Sequence, residues 1–252
     1  MTTWILLRGL GREARHWGRL PPLLEERLPG ERVLTVDLPG SGRWWQQASP
    51  ANVAGMVEAV RAELRARSRP GPYVVLALSL GGMVAMEWAA RFPGELQGCI
   101  LVNSSAGRLS PFWQRLRPGA WLQLAPWLQP RAGDLDRERA VYRVTSNLPL
   151  HDAVVDDWVA FARSRPVARR NLARQLFAAA RYRAPARLPV PALVLASAQD
   201  RLVSPRASEA IARAWSLPLN LHPSAGHDLP LDDPDWVVQQ AVDWVLRGFP
   251  GA

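Results

Sequence analysis

The chain has 252 residues, 48% hydrophobic and 21% charged, with a formal net charge of +9. These are the proportions of a soluble globular protein that can bury a sizeable core, as one large α/β domain or two small ones. No apolar run reaches the ~18 residues that a membrane span requires. The N-terminus runs straight into Trp4-Ile5-Leu6-Leu7 without a charged leader or a cleavage site, so no signal peptide is expected. The one cysteine, Cys99, sits in an apolar run and reads as a small buried side chain; a cytoplasmic location is expected.

All 31 basic residues are Arg. Between Arg108 and Arg187 stand 15 Arg against six acids, a balance of +9, and the remainder of the chain is neutral. The excess charge is therefore confined to one internal segment. Absence of Lys accounts for the residue type but not for that location.

Taken in order, residues 3–7 read as a short apolar strand ended by Arg8-Gly9-Leu10-Gly11, and a helix is predicted over 17–28. Residues 32–37 form the next predicted strand, closed by the turn-rich Leu38-Pro39-Gly40-Ser41-Gly42. Val53, Met56, Val57, Val60 and Leu64 share one face of a helix predicted over 52–67. The continuous apolar run Val74-Val75-Leu76-Ala77-Leu78 reads as a strand buried on both faces. It ends at Ser79, after which an Ala- and Met-rich pattern predicts a helix to about Arg91. Residues 96–102 are a further strand, followed by Asn103-Ser104-Ser105.

From Gly107 to about Ala186 helical patterns replace the strand rhythm, as four short helices broken near Pro118-Gly119, residues 130–133, Pro149 and Pro166. Strand (192–196), helix (205–215), strand (217–221) and a closing amphipathic helix (235–247) complete the chain. Strands separated by helices imply a parallel sheet covered on both faces. The helical block is too long for a crossover. It reads as an insertion over the carboxyl ends of the strands, where open α/β sheets bind ligands.

A serine at a strand-to-helix corner needs small neighbours for the tight turn, here Ala77 and Gly81. Serine is a poor nucleophile unless a base takes its proton and an acid orients that base. Asp200 is the first acid after the 192–196 strand, and His227 lies in the loop after the last strand. Ser79, Asp200 and His227 therefore stand in the required order at three strand ends. His16, His151 and His222 compete for the base role without that placement. Oxyanion donors are expected from the backbone N–H of Leu80, at a helix start, and of Leu10, in the glycine loop.

Four motifs carry a family resemblance: Arg8-Gly9-Leu10-Gly11, Asp37-Leu38-Pro39-Gly40-Ser41-Gly42, Ala77-Leu78-Ser79-Leu80-Gly81-Gly82 and Gly226-His227. Over nearly its full length the sequence resembles the α/β-hydrolases with a helical cap. The resemblance implies a serine carboxylesterase using a Ser-His-Asp triad, with no metal or organic cofactor. It also implies an α/β-hydrolase fold with a mostly parallel sheet of about six strands, the family's first two being absent. Residues 1–106 and 188–252 would form the core and 107–187 the cap. Dehalogenases and epoxide hydrolases of this fold use Asp as nucleophile, so Ser79 speaks against them.

Where the family usually has His, this chain has Arg8. Its guanidinium either pairs with a nearby acid or, with Gly9, contacts an anionic substrate group. Trp113 and Trp158 are candidate substrate contacts among the cap aromatics Phe112, Trp113, Trp121, Trp127 and Trp158, which otherwise read as cap core. An apolar cap over a serine suits a small-molecule acyl ester. Arg163, Arg170 and Arg174 have helix-like spacing, interrupted by Pro166. They form either a solvated face or an anion-docking surface. The resemblance supplies a concrete partner: the methyl ester esterases of biotin synthesis dock an acidic acyl carrier protein on a basic helical cap. Acyl-CoA would need a similar patch. Nucleic acid is not expected, since no strand-reading motif accompanies the charge. A non-catalytic ligand-binding protein on the same fold is the reading from another class.

Overall fold

Strands β1 (Thr3–Leu7), β2 (Arg32–Val36), β3 (Tyr73–Leu78), β4 (Leu96–Val102), β5 (Ala192–Ser197) and β6 (Leu219–His222) form one sheet. Their order is β2-β1-β3-β4-β5-β6, and every neighbouring pair is parallel. The structure is a computed structural model that describes residues 2–69, 71–120, 122–123 and 133–250. The predicted cap residues Trp121 and Trp127, and most of the predicted break at 130–133, lie outside the described residues.

Side chains of a strand point alternately to the two faces, and the core divides accordingly. Ile5, Leu7, Val75, Ala77, Cys99 and Leu101 pack with helices α2 (Val53–Ala66) and α3 (Leu80–Arg91). Trp4, Leu6, Val74, Leu76, Ile100 and Val102 pack on the other face with α1 (Leu20–Arg27) and the closing helix (Pro234–Leu246). Burial on both faces explains why β3 is apolar throughout rather than alternating. Burial also pushes the Cys99 thiol up to about 12, which disfavours the nucleophilic thiolate.

One predicted helix is shorter than its sequence pattern. Residues 17–28 divide into a 3-10 turn (Ala14–Trp17) and α1, because Gly18 has φ 52 and breaks the run.

The inserted segment begins and ends side by side. Gly107 N donates to Tyr182 O (3.0 Å) and Ala184 N to Gly107 O (2.9 Å), which closes the excursion onto the core. Between them lie α4 (Phe112–Arg115), α5 (Asp134–Thr145), α6 (Asp152–Ser164) and α7 (Arg169–Arg181). Tyr142, Val155, Trp158 and Val159 give this segment an apolar cluster of its own. Arg163 sits on α6 whereas Arg170 and Arg174 sit on α7, so the three do not share one helix; residues 165–168 separate the two elements. The remaining helices are α8 (Pro205–Ala214), α9 (Leu229–Asp232) and α10, the closing helix. No helix among the described residues is long and apolar enough to cross a membrane.

Candidate active site

The turn from β3 into α3 places Ser79 at φ 57, ψ −114, backbone values rarely adopted by a residue with a side chain. Its surroundings hold it there. Ser79 N donates to Val102 O (2.9 Å), and Ser79 O accepts from Ser104 Oγ (2.9 Å). A Cβ on Gly81 would lie 2.4 Å from Leu7 O, so only glycine lets α3 start this close to β1.

The loop after β1 runs directly over the serine. A Cβ on Gly9 would stand 3.2 Å from Ser79 Cβ and 3.7 Å from Ser79 Oγ. The next amide, Leu10 N–H, and the first amide of α3, Leu80 N–H, donate to no group among the described residues. Gly11 N instead donates to Gln175 Oε1 (2.9 Å), and Gln175 Nε2 donates to Ser41 Oγ (3.1 Å). One buried glutamine of α7 thus holds the glycine loop and the loop after β2 together. Nothing in the sequence marked Gln175, because its partners are 134 and 164 positions away.

Asp200 and His227 meet beyond the ends of β5 and β6. His227 Nδ1 lies 2.7 Å from Asp200 Oδ2, with both side chains buried. The other carboxylate oxygen, Oδ1, accepts from Leu202 N (2.8 Å) and Val203 N (2.9 Å). Two backbone amides therefore hold one carboxylate oxygen, and the other faces the ring. In this structure no hydrogen bond joins Ser79 Oγ to the His227 ring. Catalytic hydrogen bonds are often long in ligand-free enzymes and tighten on substrate.

The competing histidines have other partners. His222 Nδ1 accepts from Ala225 N (2.9 Å) and Nε2 faces Asp233 Oδ2 at 3.2 Å, so it braces the turn before His227. His16 is buried between Trp158 and Phe161, with Nε2 3.0 Å from Arg12 Nη1. Burial first, then the Arg12 and Arg8 charges, holds its ring well below the ordinary histidine range. His151 is exposed at the start of α6.

Arg8 is buried and bidentate on Asp228, the residue after His227. Each terminal nitrogen bonds one carboxylate oxygen, so the guanidinium charge is paired inside the protein. Trp158 is 3% exposed and forms one wall of a cleft of about 320 Å³. Leu10, His16, Phe161, Leu172 and Leu176 also line that cleft, which opens between the glycine loop and α5–α7. A smaller recess of about 140 Å³ lies at Arg61, Arg65 and Tyr73, at the opposite end of β3 from Ser79. Trp113 is half-exposed beside Phe112 and does not line the cleft. Arg163 pairs with Asp134 (3.4 Å), Arg174 Nε donates to Ser49 O, and Arg170 is exposed without an ion pair among the described residues. Among the described residues no group of three or more His, Cys, Asp or Glu is placed to hold a metal ion.

The loop that carries His227 is also tied to the helical segment between β4 and β5. Asp228 N donates to Thr145 O (2.7 Å), and Asp232 accepts from Gly226 N, Asn147 N and Ser146 Oγ. Burial raises the Asp232 carboxyl above the usual range despite these bonds.

A parallel sheet with helices on both faces, a strained serine corner and a buried His–Asp pair at strand ends define an α/β-hydrolase architecture. The family model described as the alpha/beta hydrolase family matches residues 4–240, and the chain belongs to that family. It is similar to the pimeloyl-[acyl-carrier protein] methyl ester esterase of Chromobacterium violaceum, 38% identical over 101 residues, covering 40% of this chain and 36% of the relative. The biotin biosynthesis bifunctional protein BioHC of Cellvibrio japonicus is 27% identical over 95% of this chain and 47% of its own length. The matched stretches thus span about a third to a half of these relatives. Among solved structures, a thermophilic esterase from Thermogutta terrifontis superposes with TM-score 0.76 at 23% identity, over 99% of this chain and 91% of that one. The enol-lactonase from Burkholderia xenovorans gives TM-score 0.76 at 18% identity, over 97% and 91%.

Proposed function

We propose that this hydrolase-family chain is a serine carboxylesterase that cleaves small to medium acyl esters through an acyl-enzyme. The buried His227–Asp200 hydrogen bond carries the reading. With Asp200 accepting from Nδ1–H, the neutral ring leaves Nε2 unprotonated as a base. Nε2 takes the Ser79 hydroxyl proton as Oγ bonds to the acyl carbon, and the carbonyl electron pair moves onto its oxygen. The free amides of Leu10 and Leu80 receive that oxyanion, each such donor supplying about 10²–10³ in rate. Collapse expels the alcohol, to which His227 returns the proton; water then repeats the cycle and frees the acid. We place the acyl chain in the cleft against Leu10, Trp158, Phe161 and Leu172; the cleft meets the catalytic groups through Leu10, since neither Ser79 nor His227 lines it. Its volume is at the small end of ligand sites, about 300–1,000 Å³.

Labelling of Ser79 by a fluorophosphonate, and hydrolysis of p-nitrophenyl butyrate that Ser79→Ala abolishes, test this directly. Absence of labelling would favour a non-catalytic ligand-binding protein, and retained activity in Ser79→Ala would remove the serine assignment.

A second reading, an esterase or thioesterase acting on acyl-carrier-protein or acyl-CoA substrates, is favoured by the exposed Arg170 and Arg174 and by the relatives' names. Replacing both by Glu should raise KM for a carrier-bound ester, most strongly at low salt, and leave a small neutral ester unaffected. Equal effects on both substrates would exclude it.

A further inference from the structure

We propose that Asn103 is a positioning residue for His227, acting on the ring through the main chain that carries it; this rests on the assignment of His227 and Asp200 above. Asn103 follows β4, is 1% exposed and has φ 43. Its side chain joins the strand that carries the acid to the loop that carries the base. Ser197 N, at the end of β5, donates to Asn103 Oδ1 (2.8 Å). Asn103 Nδ2 donates to His227 O (2.8 Å) and Ser197 Oγ (3.0 Å), with Gly226 O at 3.3 Å. The orientation of the amide follows from its partners. The atom facing an N–H must be the oxygen, and the atom facing two carbonyls must be the nitrogen. The preceding residue, Val102, accepts from Ser79 N through its carbonyl. Two consecutive residues, at and just after the end of β4, therefore contact Ser79, the end of β5 that leads to Asp200, and the loop that carries His227.

The bond to His227 O fixes where the imidazole starts, and the bonds to Ser197 fix it relative to the chain leading to Asp200. Displacing a catalytic group by about 1 Å costs on the order of 10²-fold in rate. Asparagine suits the position twice over, because it tolerates a left-handed backbone and carries a donor and an acceptor on one planar group.

Asn103→Asp changes a single atom of this network. It keeps the shape, the backbone tolerance and the acceptor for Ser197 N, but turns an oxygen towards the carbonyls of Gly226 and His227. For p-nitrophenyl butyrate, kcat is expected to fall on the order of 10²-fold, with KM within about twofold. The downfield Nδ1–H proton resonance of His227, identified by its absence in His227→Gln, should shift or disappear. Ser197→Ala removes only the Ser197 Oγ contact, and should retain both the resonance and kcat. Asn103→Gly keeps the backbone freedom without any side-chain bond, and serves if the aspartate variant does not fold. A normal resonance and normal kcat in Asn103→Asp or Asn103→Gly would overturn the proposal. So would an equal loss in Ser197→Ala, which would point to general packing of the strand end. The resonance is read without substrate, so an inert Ser79 would defeat the esterase reading while leaving this inference to stand or fall on the spectrum.

Discussion

Arg8 and Asp228 form a buried bidentate ion pair, Nη1 to Oδ1 at 3.0 Å and Nη2 to Oδ2 at 2.6 Å, with side chains 3% and 4% exposed. The pair joins the loop that offers the Leu10 amide to the loop that carries His227, bridging 220 positions of sequence. The Arg8 guanidinium also stacks over the Trp17 ring at 4.9 Å. Breaking such a pair strands a buried charge. Arg8→Met is therefore expected to lose about 3–5 kcal/mol of stability, measured by chemical denaturation. Arg8→Met combined with Asp228→Leu should recover most of that loss, because no charge then remains buried. A single variant as stable as the parent would show that the pair contributes nothing.

The strain at Ser79 predicts a difference in stability between two variants of that residue. Ser79→Gly relieves the left-handed backbone at φ 57, whereas Ser79→Ala keeps it. Glycine should be the more stable of the two by about 1 kcal/mol, the balance between released strain and added unfolded-state entropy. Unfolding midpoints in urea read the difference, and alanine equal to or above glycine would contradict it.

Gly9 and Gly81 should separate activity from folding. A methyl at Gly9 meets Ser79 Cβ at 3.2 Å and stands 3.7 Å from Oγ, so it presses on the serine corner. Gly9→Ala should reduce kcat by about tenfold or more through misplacement of the serine or the Leu10 amide, with a smaller change in unfolding midpoint. At Gly81 the added carbon would lie 2.4 Å from Leu7 O, a rigid backbone atom. Gly81→Ala should show its effect as lost soluble protein, compared by expression yield and circular dichroism.

His16 makes stability depend on pH. Its folded-state pKa lies below the unfolded value of about 6.5, through burial and the Arg12 and Arg8 charges. Between those two values the unfolded chain binds more protons. The stabilisation is therefore full above about pH 6.5 and declines as pH falls, by up to about 1.4 kcal/mol per pH unit. Denaturation midpoints from about pH 7.5 to about pH 5.5 should slope less in His16→Gln than in the parent, and identical slopes would remove His16 as the cause.

The elbow was legible because its chemistry is local. Ala77, Ser79 and Gly81 are spaced two residues apart, and the turn geometry needs them at that spacing. The strand ends were legible for the same reason, and β1 and β4 keep their predicted limits. Arg163, Arg170 and Arg174 were legible only in part. Pro166 marks the break in their spacing, but which element each joins and that Arg163 pairs with Asp134 depend on how the two helices fold back. Asn103 and Gln175 could not be recognised at all. Each is an ordinary polar residue whose importance lies in partners about 94 to 164 positions away.

By itself the sequence determined the parallel layered fold, the order of Ser79, Asp200 and His227 along the chain, and the long helical stretch between β4 and β5. Hydrophobic periodicity and turn chemistry act over a few residues and can be read along the chain. Only the tertiary structure decided that Arg8 is neutralised by Asp228, that His227 faces Asp200 through Nδ1, and that Trp158 walls a cleft while Trp113 stands outside it. Pairing and burial are properties of surfaces brought together by folding, and no local pattern records which distant group a guanidinium or a ring will meet.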